Sequence, residues 1–148
     1  MESPMVYPQP PWTLCGHGLQ TVHLLDVDRV RPFIPPSLEI ISVLPGKTVG
    51  SVYVARYNPD STLPYSELII ASGLVRYNRR VGSWISHIYV DNPHSVEGGR
   101  EIWGLPKELA EFEWQTDASV KVTQAGMILC TLDCKWQISG LKQPLSSP

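Results

Sequence analysis

The sequence has no apolar run approaching the length of a helical membrane span, so none is expected. Its first residues, Met1-Glu2-Ser3-Pro4-Met5, carry neither the basic stretch nor the apolar stretch of a secretory leader, and a cytoplasmic location is the expectation. Strong charge of one sign is missing as well. Twelve Lys and Arg stand against 14 Asp and Glu, a formal net charge of -2, which gives no electrostatic reason to expect nucleic acid. Cysteine is scarce: Cys15, Cys130 and Cys134 are odd in number and form no Cys-x-x-Cys, arguing against a disulfide framework and a zinc ribbon alike. Cys130 and Cys134 would share one face of a strand and pack in the core. His23, His87 and His94 never fall at His-x-x-x-His spacing, so neither a metal site nor a cofactor is expected. Internal repeats and low-complexity segments are absent too.

What remains is a chain of 148 residues, 43% hydrophobic and 18% charged, which suits one domain over residues 1–148 with a real core and a small-molecule partner. Its proline-rich arm, Tyr7-Pro8-Gln9-Pro10-Pro11-Trp12, must be extended because proline locks φ and biases the preceding residue away from helix. Trp12 would anchor it; a polyproline ligand is the functional alternative. Residues 19–25 read as a strand with Leu19, Thr21, His23 and Leu25 on one face, and with alternation weak enough for both faces to be covered. Asp26 and Asp28 offer caps for a short helix through Val30 and Arg31, which Pro32, Pro35 and Pro36 bring to a stop. Further strands are predicted over residues 38–44, 48–57, 65–75, 81–90, 112–114, 120–123 and 127–136. The near-continuous apolar runs at 65–75 and 81–90 imply burial on both faces. Residues 94–103 predict one irregular helix interrupted at Gly98-Gly99. Short strands punctuated by turns, with little helix, predict a mainly β chain: an antiparallel β-barrel or sandwich with one or two short helices.

The stretch around which this is organised is Gly99-Arg100-Glu101-Ile102-Trp103-Gly104-Leu105-Pro106-Lys107-Glu108-Leu109-Ala110. Gly104 allows a turn that other residues make at a cost, and Pro106 stiffens the backbone that delivers Lys107. Taken alone, Lys107 could be an ordinary surface lysine. Adjacent Arg100 and Glu101 read as a structural pair bracing the turn, and Trp103 as pocket wall or core.

The wording GREIWGLPKELA, with PYSEL at residues 64–68, resembles the acetoacetate decarboxylase-like family. The resemblance runs from the Pro10-Pro11-Trp12 arm through Phe112. It implies a closed, mostly antiparallel β structure around an interior pocket, in which Lys107 forms a Schiff base with a keto substrate and Glu67 lines the pocket, placing a water or shuttling a proton. It also places Arg100, Glu101, Trp103 and Glu108 around the substrate. Without the resemblance, Glu67 would be a strand-end charge facing solvent. Family members usually run longer, so this chain reads as truncated at its C-terminus, with open strand edges that favour assembly of several copies.

The implied chemistry needs a neutral amine, and an ordinary lysine is only about 0.04% neutral at pH 7. Burial can raise that fraction by up to about a thousandfold. Decarboxylases of this family carry a second lysine where this chain has Glu108. At about 6 Å and an effective dielectric near ~20, a glutamate there would hold the ammonium charged by ~3 kcal/mol; on the opposite face and in water, it would matter far less. A pocket arginine of the decarboxylases corresponds to Gly16, with His17 the nearest ionisable group, and a second pocket glutamate to an apolar position near Val52. Both departures weaken decarboxylation as the specific outcome and leave aldol-type and dehydration chemistry open.

A second likeness, through the Trp12 arm, Phe33-Ile34-Pro35, residues 50–57 and 71–75, and Gly104-Leu105-Pro106, is to the neoxanthin-deficient branch of plant proteins. It implies a xanthophyll-related role with an apolar, isoprenoid-like ligand, Lys107 then being a polar contact. A third expectation, a fragment or assembly protein, rests on the early stop alone.

Overall fold

The computed structural model describes residues 7–135. Residues 1–5 and 145–148, and Trp136 at the end of the last expected strand, lie outside them. In chain order the elements are β1 (Gly16–Asp26), α1 (Val27–Val30), a 3-10 turn (Arg31–Phe33), β2 (Glu39–Ile40), β3 (Lys47–Tyr57), β4 (Ser66–Tyr77) and β5 (Arg80–Val90). Then come α2 (Pro93–Trp103), β6 (Lys107–Leu109), β7 (Glu111–Thr116), β8 (Ser119–Gln124) and β9 (Met127–Asp133).

The larger sheet runs β1-β3-β4-β5-β6, with β2 paired to β4, and the smaller sheet runs β7-β8-β9. The chain is mainly β with short helices, as expected. The sheets do not close into a barrel among the described residues: β1 and β6 are the ends of the larger one. Nor is pairing wholly antiparallel, since β6 runs parallel to β5. The cause is α2, which carries the chain back across the sheet between the two strands, as a parallel crossover requires.

Alternation along β3 and β4 divides the interior into two compartments. On one face Val54 and Leu68, paired across the strands, join Leu19 and pack against Val120, Val122 and Leu132 of the small sheet. On the other face Ala55 and Tyr57 join Ile88, Val90, Tyr65 and Trp12, with Val96, Ile102, Trp103 and Leu105 packed against them. The small sheet thus covers one side, while α2 and the proline-rich arm cover the other. Trp12 anchors the arm, its indole N–H donating to the Pro8 carbonyl at 2.9 Å and its ring meeting Trp103 edge-on at 4.9 Å.

Several elements differ from the sequence expectation. The strand expected over residues 38–44 is only Glu39–Ile40. The Arg31 guanidinium gathers the carbonyls of Ile34, Pro35 and Leu38 just before it. Beyond it, the Val43 N–H bonds the Lys47 carbonyl at 2.9 Å and turns the chain back. Asp26 stands at the start of α1 without capping it, because its carboxylate is taken by Lys47 and, at 3.7 Å, by Arg29. Only one face of β1 is covered: Val22 is 66% and Leu24 56% exposed. The first half of β5 is likewise exposed.

Gly98 and Gly99 do not interrupt α2. The helix is continuous, capped by the Asn92 side chain accepting from the His94 N–H at 2.9 Å. Its glycines permit close approach, since a Cβ on Gly98 would stand 2.8 Å from the Trp12 ring. Helix propensity alone favours Gly98→Ala by about 1 kcal/mol. Overpacking against the indole costs roughly 1–3 kcal/mol and should reverse the sign. We expect Gly98→Ala to lower the urea midpoint with little change in slope; a raised midpoint would show that the arm does not seat on α2 as described.

Candidate active site

Three local devices bring Lys107 inward. Gly104 ends α2 in the left-handed region (φ 64°), its N–H bonding back to the carbonyls of Arg100 and Gly99. Pro106 then bars the helix from resuming. Arg100 secures the lysine backbone itself, its Nε donating to the Lys107 carbonyl at 2.9 Å. β6 pairs with β5 so that Lys107 lies opposite Ile88 and Glu108 opposite Tyr89. Alternation therefore sends Lys107 toward the α2 side and Glu108 to the other.

The result is a buried amine. Lys107 is 2% exposed and Glu67 6%. Their charged atoms stand 3.6 Å apart, and the amine donates to Ser95 Oγ at 3.0 Å. The rings of Tyr65 and Trp12 lie 5.0 Å and 5.6 Å from Nζ. Tyr57 donates its hydroxyl to the second oxygen of Glu67 at 2.8 Å. The lysine shaft crosses Gly99 so closely that a Cβ there would lie 2.4 Å from Lys107 Cδ.

Burial pushes the Lys107 ammonium below the usual lysine range, while the Glu67 carboxylate pulls the other way. At 3.6 Å and an effective dielectric near ~20, the attraction is on the order of 5 kcal/mol. Desolvation costs several kcal/mol for each ion, and for the amine it prevails. The first turn of α2, where Ser95 meets Nζ, carries the helix's partial positive charge and adds to the cost of the ammonium. Tyr57 and Tyr65 are held as phenols, their pKa values pushed up first by burial and next by the Glu67 charge.

Of the residues the sequence picked out, Lys107 and Glu67 come together in the interior. Trp103 packs in the same compartment, half-buried. Arg100 supports the lysine backbone, and exposed Glu101 accepts the Tyr7 hydroxyl. Each has its own partner, which replaces the expected Arg100–Glu101 pairing. Glu108 is exposed beside Tyr89 and stands outside the group, for the reason β alternation gives. His17, nearest the position of the family arginine, turns to the opposite face, where its ring meets Trp114 at 5.4 Å. Val52 packs on that face too.

Ser95, Tyr57 and Gly99 were not singled out as site residues. Nothing in the sequence marks Ser95, three residues beyond Asn92, as a lysine partner. Tyr65, within PYSEL, has nothing in the sequence to set it apart as a neighbour of the amine. Among the described residues no cluster of three or more His, Cys, Asp or Glu could hold a metal, and no helix is long and apolar enough to cross a membrane. Two clefts of about 340 Å³ open on the surface. One crosses α2 at Val96, Glu97 and Arg100; the other is lined by Tyr57, Tyr65, Ser66 and Asp91.

Removing one member of a buried pair should hurt more than removing both. Lys107→Met is expected to lose about 3–5 kcal/mol, by urea denaturation at neutral pH, and the double variant Lys107→Met/Glu67→Gln to recover part of that loss. A double variant as unstable as the sum of the two single changes would contradict the pairing.

A family model described as acetoacetate decarboxylase (ADC) matches residues 2–148. The protein NEOXANTHIN-DEFICIENT 1 of Oryza sativa subsp. japonica is 30% identical over 109 residues, covering 74% of this chain and 35% of that protein. An acetoacetate decarboxylase of Burkholderia ambifaria (strain MC40-6) is 33% identical over 88 residues, covering 57% of this chain and 32% of the enzyme. The matched stretch of the chain thus spans about a third of the length of these curated relatives. Among solved structures, an acetoacetate decarboxylase superposes with a TM-score of 0.68 at 21% identity, over 84% of this chain and 51% of that one. The enduracididine biosynthesis enzyme MppR, complexed with pyruvate, superposes with a TM-score of 0.64 at 19% identity, over 90% and 61%. At these identities the structures speak for the fold, and with the family match over nearly the whole sequence they lead to one conclusion: the chain belongs to the acetoacetate decarboxylase family.

Proposed function

We propose that the protein is a lyase that forms a Schiff base between Lys107 and a small keto compound or keto acid. The observation that carries this reading is a lysine amine enclosed among aromatic rings, 3.6 Å from a buried carboxylate, in which burial outweighs the attraction that would keep it charged. The neutral nitrogen attacks the carbonyl carbon, and one amine proton moves to the former carbonyl oxygen. That oxygen takes a second proton, delivered from solvent through Glu67, and leaves as water; the nitrogen keeps its last proton in the iminium. The iminium withdraws electrons from the adjacent carbon. Loss of carbon dioxide, aldol-type bond formation and dehydration then all become accessible. Tyr57, bonded to the far oxygen of Glu67, keeps that carboxylate aimed while its own phenol stays protonated. Trp103 forms part of the pocket wall, and Arg100 and Glu101 act at its margin by holding the lysine strand and the arm. The same reading places the protein in the cytoplasm, several copies assembling through exposed edges such as that of β1.

A second reading is supported by the plant relatives, which match 72–74% of the chain, and by the apolar residues packed around Trp12, Ile88 and Val90. In it the compartment holds an apolar, isoprenoid-like ligand, and Lys107 with Glu67 is a structural pair.

Borohydride trapping with acetoacetate and with pyruvate, read by peptide mass spectrometry, separates the two. The Schiff-base reading expects a reduced adduct on the Lys107 peptide that is lost in Lys107→Ala. Because only the free amine attacks, the trapping rate should rise with pH and level off with a midpoint below the ordinary lysine range. Glu67→Gln removes the charge that favours the ammonium, so its midpoint should fall further. A folded protein that yields no adduct while binding an apolar polyene would establish the second reading instead.

A further inference from the structure

We propose that Ser95 is a positioning residue for the Lys107 amine: its oxygen accepts one N–H, and the nitrogen lone pair is left free to meet the carbonyl carbon. This inference rests on the Schiff-base reading above. Three observations carry it.

The first is distance. Ser95 is fully buried, and its Oγ lies 3.0 Å from Nζ, whereas the nearest Glu67 oxygen is 3.6 Å away. The shorter contact of the amine is therefore to a neutral hydroxyl, with the Glu67 carboxylate just beyond it and still favouring the ammonium. A hydrogen bond to Glu67 would favour the ammonium; one to Ser95 fixes the nitrogen with far less preference for its charged form.

The second is the direction of the bonds. A serine hydroxyl has one proton to give and two lone pairs to offer. If its proton pointed at the neutral nitrogen, it would occupy the lone pair that must attack. In the structure the amine is the donor, with Nζ 3.0 Å from Oγ. With the amine donating, the serine oxygen accepts and the lone pair stays free.

The third is the frame. Ser95 and Gly99 are four residues apart on α2 and so lie on one face of it. The lysine shaft passes over Gly99, where a side chain would collide with it, and its tip ends at Ser95. Ser95 itself is held in the first turn, its N–H bonded to the Asn92 carbonyl at 3.0 Å beside the Asn92 cap. One helix face thus sets both the path of the side chain and the orientation of its end.

The test compares trapping kinetics of acetoacetate in the parent, Ser95→Ala, Ser95→Thr and Ser95→Cys, each first shown to fold by circular dichroism and urea denaturation. A misaimed nucleophile costs up to about 100-fold. Ser95→Ala is expected to slow trapping at saturating acetoacetate by roughly 10- to 100-fold, with half-saturation and the pH midpoint close to those of the parent. Ser95→Thr, which keeps the hydroxyl, should restore most of the rate. Should Ser95→Ala fail to fold, Ser95→Cys, similar in shape and weak in hydrogen bonding, should be slow where Ser95→Thr is fast. Equal rates in the parent and in the variants lacking the hydroxyl overturn the inference, as does a deficit that vanishes at high pH, which would mean that Ser95 acts on charge. No adduct in the parent with either keto compound overturns the Schiff-base reading and this inference with it.

Discussion

An amine and a carboxylate held out of water 3.6 Å apart are the constraint on which this half of the interior is built. Two such charges cost more to desolvate than their attraction returns unless their remaining polar valences are filled. The surroundings supply those valences. Tyr57 takes one oxygen of Glu67, Ser95 takes the amine, and the rings of Trp12 and Tyr65 lie 5.6 Å and 5.0 Å from its nitrogen. The walls then exclude water by packing. Trp12 from the arm meets Trp103 from α2, and two glycines let the helix come within touching distance of the indole and the lysine shaft.

This arrangement explains why the crossover has its particular form. A parallel β6 is needed to set Lys107 opposite Ile88 on the α2 side, and a parallel strand requires a crossover element between it and β5. That element is α2, so one segment both returns the chain and covers the amine. Its termini perform separate tasks: the N-terminal turn presents Ser95 and an unfavourable potential for a cation, while the C-terminal Gly104 turn releases the chain toward Pro106. Arg100 ties the two together through the Lys107 carbonyl. The family relation gives this geometry its chemical sense, and the matched stretch is about a third of each curated relative's own length.

Much of the fold was legible in the residues. The β-formers of 48–57 and the apolar run of 65–75 became β3 and β4 nearly as bounded, since Val, Tyr and Ile side chains on a pleated surface leave little alternative. The Gly104 turn was likewise readable from backbone chemistry. Pairings made at a distance could not be read. β2 is short because Arg31 gathers the carbonyls just before it, and Asp26 does not cap because Lys47 reaches it from β3. β6 is three residues long and has no pattern of its own; only Ile88, Tyr89 and Val90 beside it make it a strand.

For the site, the sequence by itself determined the kinds of group available and the local backbone that presents them: a lysine after a proline and a glycine turn, and a glutamate in PYSEL. It left the surroundings of Lys107 and Glu67 open, because burial and charge separation depend on residues far away in the chain. Glu108 sits next to Lys107 in sequence yet faces water, while Glu67, forty residues earlier, faces the amine. Tertiary structure decided that exchange through β alternation and the register of β5 with β6. It also decided the partnership with Ser95, since a serine on a helix and a lysine on a strand meet only once the helix has folded back across the sheet.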